Sequence, residues 1–460
     1  MTTTRNMPQL FHLVVENFGP VKEASIEFQN ITVLTGPYNT GKTFIATLVY
    51  VLGKIADSAL GLPIIPILMQ KQLYGSFSSR ELAEAIQPFI EEIVTNANKN
   101  REGIFRSLFE RELKDSFVIS SPAELVMSGQ QEARIMASWK LNIGFESLRV
   151  TAKVVIKSLN GEITVDISKA NKAEVLANLQ NYDRIVLSRG TASYSYAGSP
   201  PRKPIYIPAE RLFVLSNIHS LLQIVIETQG ARALGYTFAE RQAFQNIKGM
   251  MRPLLLDYLK ELMAISASKS DAFSVALSNG QKLGIVTTSD INDLIEGSVI
   301  FDKDNLIVTY KNKNGKAVPL AGASSGVAQL VALIFSLPNS LQQIQSIPFI
   351  IIEEPEINLH ANHQLKVASF IAKLARFTDI IITTHSEYVL EKLAHLWANN
   401  EVAGLRVYYI DPSERKAVPV KTKKETGEIE LLKTIDEAVE SLAGEAIRLL
   451  EKSTGANDKV

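Results

Sequence analysis

Gly36, Gly41, Lys42 and Thr43 have the spacing of a phosphate-binding loop: a glycine, four residues, then Gly-Lys-Thr. Glycine at 36 and 41 lets the main chain approach a ligand closely. Backbone N–H groups of such a turn and of the helix that follows bind phosphate oxygens. The pattern predicts an ATP site. Gly36, Asn39, Thr40 and Gly41 line the phosphates, Lys42 reaches the β- and γ-phosphates, and the Thr43 hydroxyl ligates Mg²⁺.

Three further groups extend that chemistry. An apolar run at 349–352 delivers two carboxylates, Glu353 and Glu354. The first is expected to orient a Mg²⁺-bound water. The second is placed to polarise the water that attacks the γ-phosphate. A second apolar run, 380–382, leads into Thr383, Thr384 and His385, and His385 is expected to contact the γ-phosphate or the attacking water. Ser324, Ser325 and Gly326 open a helical pattern. Serine and glycine there make either an anion site or an ordinary N-cap.

The elements that hold these groups are legible from periodicity. Short strands are expected at 11–16, 24–28 and 31–35, the last running into Gly36, and a helix from 44 to about 57. Residues 58–114 read as helical. Residues 139–168 read as strands, with a turn at Asn160 and Gly161. Residues 189–204 are rich in Ser, Gly and Pro and read as a flexible loop. Their Tyr194, Tyr196, Arg189, Arg202 and Lys203 offer an alternative role as a nucleic-acid contact. A short strand is expected at 205–207, helices near 212–228 and 238–265, and strands over 295–318 with a turn at Asn314 and Gly315. A helix at 324–337, strands at 349–352 and 379–383, a helix at 361–376 and a strand at 406–410 complete the pattern. Residues 429–451 have an amphipathic helical pattern that packs on its own head or binds a partner.

Bulk composition narrows the class. The 460 residues are 46% hydrophobic, enough for a large core, and length suggests two or three domains. Lys plus Arg and Asp plus Glu both number 48, which argues against a polyanion binder along the whole chain. Cysteine is absent, which excludes disulfides, thiolate metal sites and cysteine nucleophiles. The N-terminus lacks an apolar signal core, and charged residues and prolines interrupt 44–69. A soluble cytoplasmic protein without a membrane role is expected.

The order of these motifs resembles an ABC-type ATPase head of the SMC, RecF and OLD branch. Asn17, Phe18, Gly19 and Pro20 look like that branch's N-terminal Asn-Phe-Gly-Pro pattern. Residues 36–43 are similar to its phosphate loop. Glu353, Glu354, Pro355 and Glu356, with Leu359 and His360, are similar to the OLD-type acidic motif. The resemblance implies an α/β P-loop head with a mixed sheet, split by a helical and β insertion arm. The implied parts are an N-terminal lobe over 1–56, the arm over 57–294, a C-terminal lobe over 295–412 and a helical tail over 413–460. It implies a homodimer or higher oligomer in which two heads enclose two ATP molecules, Ser324 and Gly326 completing the partner's site. Residues 358–360 would then cross the interface. That role competes with a metal site at Glu356, His360 and His363. Glu210 and Arg211 are candidates for the region of the usual glutamine loop, or for a structural salt bridge.

A Leu-Ser-Gly-Gly-Gln signature is lacking, so a transporter role is not expected. The 75 residues after His385 are too few for the nuclease domain of OLD-type enzymes. The chain therefore looks like the stand-alone ATPase subunits of phage-defence systems, such as AriA of the PARIS type or PtuA of the Septu type. These imply a separate effector, a nuclease or toxin. A RecF-like repair ATPase, with DNA as a ligand, is the alternative.

Overall fold

The computed structural model describes residues 9–60, 72, 74–143, 146–172, 174–176, 182–188, 191–196, 203–217, 254–255, 257–258, 288–302, 307–335 and 348–430. In chain order its main elements are β1 (Gln9–Phe18), β2 (Val21–Glu27), β3 (Ile31–Thr35), α1 (Lys42–Leu60), β4 (Gly75–Ser78), α2 (Ser79–Ile86) and α3 (Ile90–Phe117). Then come β5 (Glu132–Ile143), β6 (Glu146–Lys157), β7 (Ile163–Ile167), β8 (Tyr182–Ser188), β9 (Thr191–Tyr196), β10 (Ile205–Ile207) and α4 (Arg211–Ser216). The C-terminal part holds α5 (Thr288–Ile295), β11 (Gly297–Asp302), β12 (Ile307–Asn312), β13 (Ala317–Pro319), α6 (Ser325–Phe335), β14 (Phe349–Glu353) and α7 (Ala361–Ala375). It ends with β15 (Asp379–Thr384), α8 (Glu387–Ala398), β16 (Leu405–Ile410) and β17 (Lys416–Pro419).

One mixed sheet organises the molecule, in the order β10-β14-β15-β3-β16-β17-β2-β1-β5-β6-β7. Its first five strands are mutually parallel. Both faces of that parallel part are covered. Ile350, Ile352, Ile380 and Ile382 pack with α6, α7 and α8 in one core cluster. Phe349, Ile351 and Ile381 point the other way, into a cluster with α1, β1, β5 and β6. Double-sided burial is why 349–352 and 380–382 are unbroken apolar runs instead of alternating ones.

Several expectations shift. The strands of residues 132–167, placed by sequence in the insertion, extend the head's own sheet through the pairing of β1 with β5. Residues 191–196, expected to be loop, form β9 and pair with β8, Ile185 opposite Tyr194. Threonine and tyrosine suit a pleated surface, and pairing satisfies their backbone groups; Ser, Gly and Pro nearby concealed that signal. Within the stretch read as helical, 75–78 form β4, which pairs with β8 more than a hundred residues on. The first part of the expected helical tail, residues 416–419, is strand β17. The amphipathic pattern beyond 430 and the helical patterns at 218–228 and 238–253 lie outside the described residues. Among the described residues, no helix is long and apolar enough to cross a membrane.

Candidate active site

The parallel strands β10, β14, β15 and β3 all end at one edge, where backbone amides and carbonyls leave the sheet unpaired and ligands of open α/β sheets sit. The ends deliver, in spatial order, residues 208–211, Glu353 and Glu354, His385, and the phosphate loop. Residues scattered over 350 positions thus meet because of strand order.

The loop is shaped by backbone crowding. A Cβ at Gly36, with φ +138°, would lie 2.7 Å from the carbonyl oxygen of Ile410 on β16. A Cβ at Gly41 would lie 2.5 Å from Val21 and 2.9 Å from Pro20, so the 17–20 turn packs directly behind the loop. Asn39 takes φ +61°. The Thr40 hydroxyl donates to the Pro37 carbonyl at 3.0 Å. Lys42 folds back into its own loop, its Nζ donating to the carbonyls of Gly36 (2.9 Å) and Pro37 (2.7 Å). Burial pulls the ammonium down to about 8, against the opposing pull of Glu354 and Glu356. Thr43 stands at the second position of α1.

Opposite lies the acidic end of β14. Glu353 is buried, and its Oε2 accepts from the Ala209 N–H at 3.3 Å. Glu354 follows with φ +40°, a left-handed conformation that side chains other than glycine rarely adopt, and its N–H donates to Thr383 O at 2.9 Å. Such strain collects at functional positions. Burial raises the Glu354 carboxyl first, and the charges of Glu356 and Glu353 raise it further.

His385 closes the gap between the two halves. Its Nε2 stands 3.7 Å from Glu354 Oε1, and its ring stacks on Tyr38 with centroids 4.2 Å apart. Burial, then the Lys42 charge, lowers the imidazole to about 4. It is therefore neutral at pH 7, and its contact with Glu354 is dipolar instead of an ion pair. The folded value lies below the ordinary 6.5, so the unfolded chain binds the proton first as pH falls. The stability carried by the neutral ring is present above pH 6.5 and is lost between 6.5 and about 4. His385→Gln is expected to flatten that part of the acid dependence, by at most roughly 3 kcal/mol. Denaturant titrations of both proteins at pH 7 and pH 4.5 read the difference.

Arg211 is fully buried, and among the described residues it makes no salt bridge of the kind the sequence suggested. Its guanidinium donates to the carbonyls of Glu353 (2.9 Å), Glu354 (3.2 Å), Pro355 (3.5 Å) and Pro208 (3.2 Å). Burial pulls it down to about 10, so it stays charged at neutral pH. The fork holds the turn that carries the acids. Arg211→Ala leaves several buried carbonyls without donors and is expected to cost about 3 kcal/mol in chemical denaturation. Arg211→Lys would rescue little, because an ammonium has three donors on one nitrogen and cannot reproduce a fork that reaches five carbonyls, that of Gln329 included.

Ser324 is exposed, and its carbonyl accepts from Ala328 N at the start of α6. Gly326 packs against the turn after β14: a Cβ there would lie 2.9 Å from Asn358 O and 3.4 Å from Leu359. The structure therefore seats Ser324 and Gly326 beside residues 358–359, and the nearest neighbours of Gly326 are not in the phosphate loop. Glu210 caps α4 next to Arg211.

The donor set fits Mg²⁺: a hydroxyl at 43 and a carboxylate at 353 are hard oxygen ligands. Among the described residues, no three His, Asp or Glu side chains are grouped to hold a metal alone, including Glu356, His360 and His363. Two participants were missed by sequence reasoning. The Tyr38 stack had no signal, since a lone aromatic in a loop belongs to no periodic pattern, and the residue is 79% exposed in the fold. Glu356 stood out in the sequence as the last acid of the motif and as a candidate metal ligand with His360 and His363, not as the acceptor for the His385 backbone.

With the geometry in place, comparisons add one family. Residues 184–391 match the family described as "AAA domain, putative AbiEii toxin, Type IV TA system". The match spans under half of the chain; it takes in Arg211, Glu353, Glu354 and His385 and stops short of the phosphate loop. No curated protein matches the chain. Among solved structures, the Smc head domain of Pyrococcus furiosus, with an extended coiled coil and bound to the C-terminal domain of ScpA, is 12% identical. It covers 95% of this chain and 100% of its own, with a TM-score of 0.43. The SMC head domain of Thermotoga maritima is 12% identical over 90% of this chain and 100% of its own, at 0.40. The recombination mediator RecF is 11% identical over 90% and 99%, at 0.36.

Proposed function

We propose that this chain binds ATP with Mg²⁺, hydrolyses it, and acts as a dimer-closing head that controls a separate nuclease or toxin in antiviral defence in the cytoplasm. The observation that carries the enzymatic part is the convergence of Lys42, Glu354 and His385 at one sheet edge. Lys42 exchanges the carbonyls of Gly36 and Pro37 for the β- and γ-phosphates. Gly36, Asn39, Thr40 and Gly41 supply the backbone cradle. Glu354 draws a proton from the water whose oxygen attacks the γ-phosphorus, and the bond to the β–γ bridging oxygen breaks to leave ADP and phosphate. His385, neutral, donates to or accepts from that water or the γ-phosphate. Thr43 and Glu353 would hold Mg²⁺, which when bound would supply positive charge to the phosphates.

The dimer reading is supported by the placement of Gly326 against Asn358, away from its own chain's loop contacts. Ser324 and Gly326 then serve the ATP of a second copy. The test is sedimentation of Glu354→Gln with and without ATP, alongside purification from the native host. ATP-dependent dimers, and a nuclease or toxin that leaves the complex when ATP is withheld, support the reading. A monomer under all conditions sinks the dimer. Hydrolysis stimulated by DNA and steeply weakened by salt would replace the defence role with the RecF-like one.

A further inference from the structure

We propose that Glu356 is the positioning residue for His385, holding the ring in place through the backbone at the end of β15. The inference rests on the active-site reading above and adds a residue to it. β15 ends at Thr384, so the next backbone N–H has no sheet partner and needs an acceptor of its own. Glu356 supplies it. One carboxylate oxygen, Oε1, accepts from the His385 N–H at 2.8 Å and from the Thr384 hydroxyl at 2.7 Å. The Thr384 hydroxyl accepts in turn from the Ser386 N–H at 3.0 Å. Three consecutive residues are therefore tied to one buried side chain.

The far side of the turn is gripped as well. Ser386 donates to Gln364, whose amide donates to Leu359 O at 2.8 Å. The segment after β14 thus holds residues 384–386 at both ends. Fixing the backbone fixes the origin of the His385 side chain, and from there the ring reaches its place between Tyr38 and Glu354. Glu356 is itself 9% exposed, and its second oxygen, Oε2, is buried without a hydrogen-bond partner. The two donors to Oε1, the His385 N–H and the Thr384 hydroxyl, offset part of the cost of that burial.

The test uses the full chain labelled with ¹³C at histidine Cε1, the His385 signal being identified by its loss in His385→Ala. Stacking on Tyr38 displaces that signal, and Tyr38→Ala reports the unstacked position. Glu356→Ala is expected to move the signal to the unstacked position, while Glu356→Gln, which keeps an acceptor at Oε1, leaves it near the wild-type position. Thr384→Val removes one of the two donors and is expected to broaden or partly shift the signal, which serves if Glu356→Ala does not fold. In turnover, Glu356→Ala is expected to lower kcat by about ten- to a hundredfold with KM for ATP little changed. In a His385→Ala background it should add less than about twofold, because both changes remove one function. An unmoved resonance in Glu356→Ala, or Glu356→Gln as displaced as Glu356→Ala, overturns the proposal. So do losses that multiply across the two sites. A wild type without ATPase activity would defeat the catalytic reading alone, since the resonance is read without turnover.

Discussion

Lys42→Ala is expected to reduce ATP turnover by at least about a hundredfold and to weaken ATP binding with it. Removing one fixed donor from a charge-developing site costs that much in comparable chemistry, and Lys42 contributes a full charge. The residue is 6% exposed, and among the described residues its ammonium donates to two carbonyls of its own loop. Alanine removes the donor to those carbonyls and supplies nothing to the phosphates. The ammonium also has a pH signature. Burial holds it to about 8, so the nucleotide-free protein loses this charge above that pH. ATP affinity is expected to fall between pH 7 and pH 9 in wild type and to stay flatter in the variant. The folded value lies below the ordinary 10.5, so keeping the charge buried costs stability below pH 8. That cost fades as pH rises from 8 to 10.5. Radiometric turnover and fluorescent-nucleotide titration across this range check both statements. Equal turnover in wild type and Lys42→Ala would remove the enzymatic reading.

Glu354→Gln has the opposite signature. Hydrolysis is expected to drop by about a hundred- to a thousandfold while ATP binding survives. The amide cannot take a proton from water, yet it occupies the same volume. The backbone strain at φ +40° is the same for glutamine as for glutamate, so the fold should hold within about 0.5 kcal/mol. Loss of a half-buried, like-charged neighbour of Glu353 and Glu356 even relieves repulsion. ATP therefore stays bound, and a closed form accumulates. Single-turnover assays, with thermal melts as the control, separate the chemical effect from unfolding. A variant that hydrolyses at the wild-type rate would move the base elsewhere on the edge.

Much of this site was legible before any coordinates. The phosphate loop, the two acids and His385 each end an apolar run, and such runs announce buried parallel strands. What they did not announce was Arg211 as a clamp on the acidic turn: a buried guanidinium bonded to carbonyls has no complementary acid in the sequence to reveal it. Tyr38 was equally silent, because an exposed aromatic in a loop has no pattern. The reading of 132–167 as part of an arm failed for a related reason. Alternating strands predict a sheet but not which sheet, and β5 joins β1 across more than a hundred residues.

The sequence by itself determined which residues are candidates for phosphate chemistry, because that depends on residue type and short spacing: Gly36 to Thr43, Glu353, Glu354 and His385. It determined the strands that end at them, because double-sided burial demands unbroken apolar runs. Only the tertiary structure decided that β14 and β15 lie beside β3, so that groups more than 300 residues apart share one edge. It also decided that Gly326 packs on Asn358, and that Glu356 grips the His385 backbone. These are contacts between distant segments, set by strand order and by the need to satisfy each buried polar group, and local pattern does not encode either.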